Sequence, residues 1–296
     1  MDEKPRPTKD RLIEILALLG VRGAEKADIR AFIDEEDGSE YAAWHISTAE
    51  RECVLKRAKE FELEVYRFFF NEKKAYAPEF FGAVQYDGCD YLLMEYCTGE
   101  TLRRCEREKL IKALDALIAM QDEYWERREL SGAAVTVENS LDGIVRRGTY
   151  LGSELLERVY ADFIEVYKSA PRTLCHDDLL PFNLLVGERA VLIDWEFGGI
   201  LPYPVSLARL IAHCREDESA FFYMTEADRA FAIEYFYENL LKKRGIPYEE
   251  YRRALDYFLF YEYCEWIMLG NRHDMREDER YAYSLKKANE LAKELL

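Results

Sequence analysis

The chain contains no apolar run of about 18 residues, the length a membrane-spanning helix needs. Its first residues, MDEKPRPTKDR, are polar and lack the apolar core of a secretory signal. Cysteine is sparse and unpatterned: seven residues, none in a C-x-x-C pair or at metal-ligand spacing. The odd count and the apolar neighbours of Cys53, Cys175 and Cys264 point to reduced thiols in a cytoplasm, not to a disulfide framework. Positive charge is short as well. There are 41 Lys and Arg against 58 Asp and Glu, a formal net charge of −17. That balance argues against nucleic acid or an anionic membrane as partner and is compatible with a cationic substrate. Internal repeats and low-complexity linkers are absent.

What remains is a soluble globular composition: 49% apolar and 33% charged over 296 residues, enough for one large domain or two lobes. The aromatic share is 14%, with 21 Tyr, so a large core or an aromatic-lined pocket is expected.

The chemistry concentrates between Cys175 and Glu196, CHDDLLPFNLLVGERAVLIDWE. Asp178, Asn183 five places on and Asp194 eleven places beyond are the spaced polar residues. Two apolar runs, Leu184–Val186 and Ala190–Ile193, flank a turn at Gly187-Glu188-Arg189. A hairpin that short returns the chain on itself, so Asn183 and Asp194 are expected side by side. Phosphoryl transfer from a nucleoside triphosphate uses such a set. One carboxylate orients the attacking hydroxyl, while an amide and a second carboxylate hold magnesium on the phosphates.

His176, Asp178 and Asn183 satisfy the H-x-D-x-x-x-x-N spacing of kinase catalytic loops, and Asp194-Trp195-Glu196 stands where protein kinases show D-F-G. H-D-D-L-L-P-F-N followed by I-D-W-E resembles the choline kinase and aminoglycoside phosphotransferase family, the small-molecule branch of the kinase fold, with wording nearer the choline kinase side. The resemblance implies an α+β, protein-kinase-like bilobal fold. A small antiparallel-sheet lobe with helices, residues 1–97, would carry the nucleotide and end in the hinge. A larger, mostly helical lobe, residues 98–296, would carry catalysis and substrate. It also implies magnesium and ATP or GTP as donor.

The order of elements agrees with this. Thr8 can cap a helix from Lys9 to Leu19 that stops at Gly20, with Leu12, Ile15, Leu16 and Leu19 on one face. Strands follow at 28–33, 41–46 and 52–58, with a turn over 35–40. A helix is expected over 60–72, then strands at 81–86 and 91–94 joined by Asp87-Gly88. Helices are expected over 110–125, 153–167, 204–214, 226–243 and 248–269, with Gly245-Ile246-Pro247 separating the last two and a final helix near Leu296. Residues 131–150 read as a looser stretch.

On the resemblance, Lys56 contacts the nucleotide phosphates and Glu64 is the helix carboxylate that pairs with it; Glu62 lies in the same first turns. A solvated lysine and a surface glutamate are the bland alternatives. Gly38 and Ser39 mark a glycine-poor phosphate loop. Met94 lines the base pocket, or is simply a buried strand residue, and backbone groups of Glu95 and Cys97 bond the adenine. Asp178 is the base. Asn183 and Asp194 are metal ligands, and Glu196 can reach a second metal if the segment is extended, since residues two apart then share a side. A structural carboxylate is the equal alternative for Glu196. His176 props the loop; His45, His213 and His273 are isolated. Ser206 stands where a D-P-x-x-D-L-A pattern would have its second Asp, and can still bond backbone. The Leu-His pair often seen in the family is replaced by Met120-Gln121.

The acceptor side rests on Tyr257–Trp266, an almost wholly apolar helix that nevertheless carries Glu262 and Glu265. Buried carboxylates need partners. With Trp266 they can hold an ammonium by charge and cation–π attraction, or pair internally with Arg252, Arg272 or backbone. Glu234 and Glu238 are a second candidate pair. The expected partners are thus a nucleoside triphosphate and a small hydroxylated, cationic molecule. Choline or ethanolamine kinase proper, an antibiotic kinase, and a kinase-fold protein that binds nucleotide without turnover are the alternatives. Protein kinase activity is disfavoured because no A-P-E element follows Asp194.

Overall fold

A computed structural model describes residues 5–34, 38–59, 61–130 and 134–296. Helix α1 (Lys9–Leu18) starts at Thr8, whose hydroxyl accepts from the Arg11 N–H, and ends before Gly20, which takes a left-handed φ of 73°. Ten residues are too few to hold a helix in water. Burial of Leu12, Ile15 and Leu16 against a sheet supplies the stability, about 1.5–3 kcal/mol per side chain.

That sheet is antiparallel and five-stranded, built from β1 (Asp28–Ile33), β2 (Glu40–Ser47), β3 (Glu52–Arg57), β4 (Phe80–Tyr86) and β5 (Cys89–Glu95), in the order β1-β2-β3-β5-β4. The β4–β5 turn is Asp87-Gly88, both at positive φ, the geometry a two-residue hairpin requires. Strand alternation gives the sheet two different faces. Cys53, Leu55 and Leu93 pack on the α1 side with Trp44 and Ile46. Val54, Leu92 and Met94 join the larger core on the other side, and Lys56 shares their parity. Helix α2 (Glu62–Phe69) lies between β3 and β4 in sequence and buries Leu63, Val65, Tyr66 and Phe69 in that core.

Past β5 the chain becomes mostly helical. It runs through β6 (Glu100–Thr101), α3 (Arg107–Glu123), β7 (Val135–Thr136), α4 (Val137–Gly148) and α5 (Glu154–Ser169), then the short strands β8 (Arg172–His176), β9 (Leu184–Val186), β10 (Ala190–Leu192) and β11 (Gly198–Pro202). Helices α6 (Pro204–Ala212), α7 (Glu226–Phe236), α8 (Tyr248–His273) and α9 (Glu279–Leu295) complete it. α7 continues through a π turn and a 3-10 turn to Arg244, and Gly245 at φ 74° ends it. Among the described residues no helix is long and apolar enough to cross a membrane.

The expected α+β, kinase-like architecture is the observed one. The stretch 131–150 departs from expectation. Thr136 and Asn139 form a reciprocal capping box that starts α4, and the helix buries Ile144 and Gly148. Polar residues and an internal Gly143 hide that helix in the sequence. Residues 131–133, with Gly132, and the turn residues 35–37 lie outside the described residues, as does residue 60 at the expected start of α2.

Two small sheets hold the loops that matter. In one, β9 pairs antiparallel with both β10 and β6. In the other, β11 lies between β8, antiparallel, and β7, parallel. The segment after β8 and the segment between β10 and β11 are thereby fixed side by side, with Gly198 opposite His176.

Candidate active site

Leu192 pairs with Leu184 at the open end of the hairpin, and the Ile193 N–H donates to the Asn183 carbonyl at 2.9 Å. Asn183 and Asp194 therefore flank one another, as the short hairpin predicts. Asp194 sits at φ 64°, a left-handed conformation that a non-glycine residue adopts at a cost of about 1 kcal/mol or more. What holds it there is its neighbour. Trp195 is fully buried, donates its indole N–H to the Leu192 carbonyl at 2.8 Å, and packs against Phe70 and His176.

Lys56 reaches across from β3. Its Nζ donates to Glu62 at 2.7 Å and to Asp194 at 2.7 Å. Burial alone lowers a lysine, but here Glu62 and Asp194 outweigh it and keep the ammonium charged. Asp194 in turn is held below the ordinary carboxylate range by Lys56, against the upward push of burial. The helix carboxylate is thus Glu62, not Glu64. Glu62 is completely buried in the first turn of α2, whereas Glu64 points to solvent. Two residues on a helix differ by about 200° in direction, so only one of the pair can face the sheet.

The loop from His176 to Asn183 is braced from within. The His176 ring Nε2 bonds the Ile193 carbonyl at 2.8 Å, and burial lowers its pKa, favouring the neutral ring. The His176 N–H donates to Ser206 Oγ at 2.9 Å, so the serine does bond the backbone of this loop. Gln121, buried, donates through its side-chain amide to the Tyr203 carbonyl at 3.0 Å, while its backbone carbonyl accepts from Thr173 Oγ1 at 2.7 Å. Asn183 Nδ2 donates to the Asp178 carbonyl at 2.8 Å and approaches Asp178 Oδ2 at 3.3 Å. That fixes the amide and turns Oδ1, a hard oxygen, away from the loop carbonyl.

Asp178 Oδ1 accepts from Arg209 Nη2 at 2.9 Å. Arg209 Nη1 donates to Glu262 at 2.9 Å and also to Glu265, and lies 3.2 Å from His213 Nε2. Glu262 and Glu265 are therefore brought to Asp178; their internal partner is Arg209 on α6, joined on Glu262 by His213 Nε2 at 3.0 Å, and not Arg252 or Arg272. Burial pushes Glu265 up, yet Arg209 and His213 hold it below its usual range. Asp177 has no hydrogen-bonding partner for its carboxylate among the described residues. Burial, reinforced by Glu262 and Glu265, pushes it up to about 7.

Other expected residues fall elsewhere. Trp266 lies under the Arg280 guanidinium at 4.0 Å, so that ring face is taken. Asp194 opens a 3-10 turn over Trp195–Phe197, not an extended segment, so the two-apart argument for Glu196 does not hold; Glu196 is drawn to Lys59 at 3.6 Å. Glu234 accepts from the Tyr248 hydroxyl and Glu238 from Lys242 at 2.7 Å, both exposed contacts away from the base. Gly38 and Ser39 occupy the exposed β1–β2 connection, where Gly38 has φ 74°. Met94 is buried and accepts from the Tyr66 hydroxyl at 3.4 Å. The Glu95 carboxylate accepts from the Glu79 N–H at 3.1 Å and from Arg189 at 2.6 Å. Cys97 follows, half-buried, its thiol pushed up to about 11 by burial and Glu95. Reading the sequence missed Arg209 and His213. Their partners Asp178 and Glu262 are 31 to 53 residues away, and no local spacing marks them.

A sheet lysine clamped between a helix carboxylate and the aspartate beyond a short hairpin, with an H-x-D-x-x-x-x-N loop beside it, defines a phosphotransferase of kinase-like fold. The chain belongs to the phosphotransferase enzyme family, whose family model matches residues 35–240. It is a small-molecule kinase. A comparison with curated proteins finds no match. Among solved structures, a putative fructosamine-3-kinase from Haemophilus somnus is similar over 89% of this chain and 90% of its own, at TM-score 0.54 and 12% identity. An aminoglycoside phosphotransferase from Streptomyces rimosus is similar over 86% of this chain and 97% of its own, at TM-score 0.50 and 16% identity. At these identities the likeness is one of fold.

Proposed function

We propose that this protein transfers the γ-phosphoryl group of ATP or GTP to a hydroxyl of a small, amine-bearing molecule, with Asp178 as base. In this reading residues 1–97 carry the nucleotide and residues 98–296 the base and acceptor. Lys56 steadies the phosphates, Gly38 and Ser39 close over them, and Met94 with backbone groups of Glu95 and Cys97 receives the purine. The acceptor oxygen attacks Pγ, its proton passes to Asp178 Oδ2, and the bond from Pγ to the bridging oxygen breaks as the nucleoside diphosphate leaves. Asn183 Oδ1 and the Asp194 carboxylate are hard oxygen donors of the kind magnesium takes, and we assign them to it. Bound there, magnesium would neutralise phosphate oxygens. Glu196 would serve a second ion once the phosphates draw Lys59 away.

One observation carries the amine: four acids gather about two guanidinium groups. Asp178, Glu262 and Glu265 all bond the Arg209 guanidinium, and His213 adds a bond to Glu262. Asp177, with no hydrogen bond to its carboxylate among the described residues, feels Arg209 and Arg147 only through space. The acceptor side of the base is short of positive charge, which a cationic acceptor supplies. The two solved structures of like fold are named for fructosamine and for aminoglycosides, which agrees with this choice.

The test is a mass-spectrometric screen for phosphoryl transfer from ATP and GTP with magnesium. The acceptors span choline, ethanolamine, amino alcohols, aminoglycosides and neutral sugars, with Asp178→Asn as control. A phosphorylated amine that vanishes with Asp178→Asn supports the reading. Phosphorylation of neutral sugars alone would remove the amine from it. Product formation that survives Asp178→Asn would remove the base.

A further inference from the structure

Arg209 is an unusual neighbour for a catalytic base. A fixed cation on the carboxylate competes for the oxygen that must take a proton, so its presence needs a reason. Its attachments supply one. The guanidinium bonds one oxygen of Asp178 only, Oδ1 at 2.9 Å through Nη2. Oδ2 receives no guanidinium bond; it accepts one longer hydrogen bond, from Asn183 Nδ2 at 3.3 Å. The charge-assisted guanidinium bond on Oδ1 is the shorter of the two and, with the weaker amide bond on Oδ2, stops the carboxylate spinning about its Cβ–Cγ bond, so Oδ2 keeps one direction and one open lone pair. The guanidinium itself is equally fixed. Its Nη1 lies against Glu262, Glu265 and His213, and its chain is only 16% exposed. The nearest ligand atoms of His213, Glu262 and Glu265 lie within 4.8 Å of one another, a nest that a small cation could fill. Arg209 Nη1 fills it instead. One planar group thus joins three elements: α6, which carries it, α8, which supplies the acids, and the loop that carries the base.

We propose that Arg209 is a positioning residue: it locks Asp178 Oδ1 so that Oδ2 faces the acceptor hydroxyl, and through Glu262 and Glu265 it ties that orientation to α8. The inference rests on Asp178 being the base. Lysine cannot replace it fully. An ammonium is a point charge, whereas the fork reaches Asp178 and the glutamates with separate nitrogens.

The experiment measures kcat, acceptor KM and nucleotide affinity for Arg209→Met, Arg209→Lys, Asp178→Asn and the double variant Arg209→Met with Asp178→Asn, using ATP and the best amine acceptor. Thermal melts accompany each, and Arg209→Lys serves if Arg209→Met does not fold. The expected result is a fall in kcat of roughly 30-fold or more for Arg209→Met, with nucleotide affinity changed less than about 2-fold, and partial recovery with Arg209→Lys, to within roughly 10-fold of wild type. Once the base is gone there is nothing left to orient, so Arg209→Met should change the residual kcat of Asp178→Asn by less than about 2-fold. An equal loss in both backgrounds, or a kcat within about 3-fold of wild type for a folded Arg209→Met, would overturn the proposal. If Asp178→Asn itself keeps wild-type kcat, the base assignment fails first, and that result is distinct from either of these.

Discussion

Lys56 is charged in a place where burial opposes the charge, and two carboxylates outweigh that burial. Removing one changes what the other must do. Glu62→Gln keeps the shape but leaves Lys56 to Asp194 alone, which would pull the ammonium away from the phosphates. We expect kcat/KM for ATP to fall by about 10- to 100-fold, roughly 1.4–2.7 kcal/mol of transition-state stabilisation. Glu64→Gln, on the solvent side of the same helix, should change it by less than about 2-fold, and steady-state kinetics on both variants decides between them. Asp177 gives a second test through stability. Its pKa rises from 3.8 to about 7 in the fold, so between these values the folded state holds a proton that the unfolded chain has lost. Stability from this residue is complete below about pH 4 and is lost as pH rises to 7. Relative to wild type, Asp177→Asn should gain on the order of 1–3 kcal/mol in urea melts at pH 8 and almost nothing at pH 4. A variant difference that is flat with pH would refute the shift. That Asp178, Asn183 and Asp194 lie together could be read from the sequence, because a short loop and a short hairpin set their spacing. Glu62 could not be told from Glu64 without the direction in which α2 rolls, nor could Arg209 be matched to acids on another helix.

At the scale of elements, the catalytic loop is held by strands too short to persist alone. β8, β9, β10 and β11 span five, three, three and five residues. Their order depends on close backbone contact at one glycine. A Cβ on Gly199 would lie 1.8 Å from the Val135 carbonyl oxygen, across the parallel β11–β7 pair. The obstacle is backbone, so no side-chain rotation relieves it. Gly199→Ala should cost about 2–4 kcal/mol and lower Tm by roughly 3–6 °C, measured by calorimetry. Ser206→Ala asks less. It removes the acceptor of the His176 N–H in a fully buried site, worth about 1–2 kcal/mol, and a several-fold loss of kcat should accompany it because the loop start is freed. Most of the elements themselves were legible, since α1, the sheet strands, α5, α6 and α8 carry strong periodicity or clear caps. α4 was not. Its stability comes from the capping box at Thr136 and Asn139 and from packing against Tyr160, which bonds the Ile144 carbonyl at 2.9 Å. Neither is a pattern of apolar spacing.

Taken whole, the molecule has a short ionic contact at the heart of the proposed reaction, with the longer Lys59–Glu196 pair beside it at 3.6 Å. Lys56 belongs to the five-stranded sheet and Asp194 to the loop between the small sheets, and they meet at 2.7 Å. In the proposed reading a nucleotide would redistribute this pair, because its phosphate oxygens would compete with Asp194 for the same ammonium. Once Lys56 turns to the phosphates, the Asp194 carboxylate is left facing anionic oxygens, a like-charge contact that is costly in a site of low dielectric. In the proposed reading, Asp194 would hold magnesium, whose charge would remove that cost. ATP with magnesium should therefore stabilise the protein far more than ATP with a chelator. At about 100 times the dissociation constant, binding contributes roughly 2.7 kcal/mol, which for a chain of this size is a rise in Tm of about 4–5 °C. With the chelator the rise should be about 2 °C or less. Asp194→Asn reverses the logic. It takes away the like charge and the hard ligand together, so ATP alone should bind it better than wild type while the magnesium-dependent increment disappears. Differential scanning fluorimetry of both proteins with ATP, with and without magnesium, measures all four values. Equal shifts with and without the metal in the wild-type protein would show that Asp194 does not hold it.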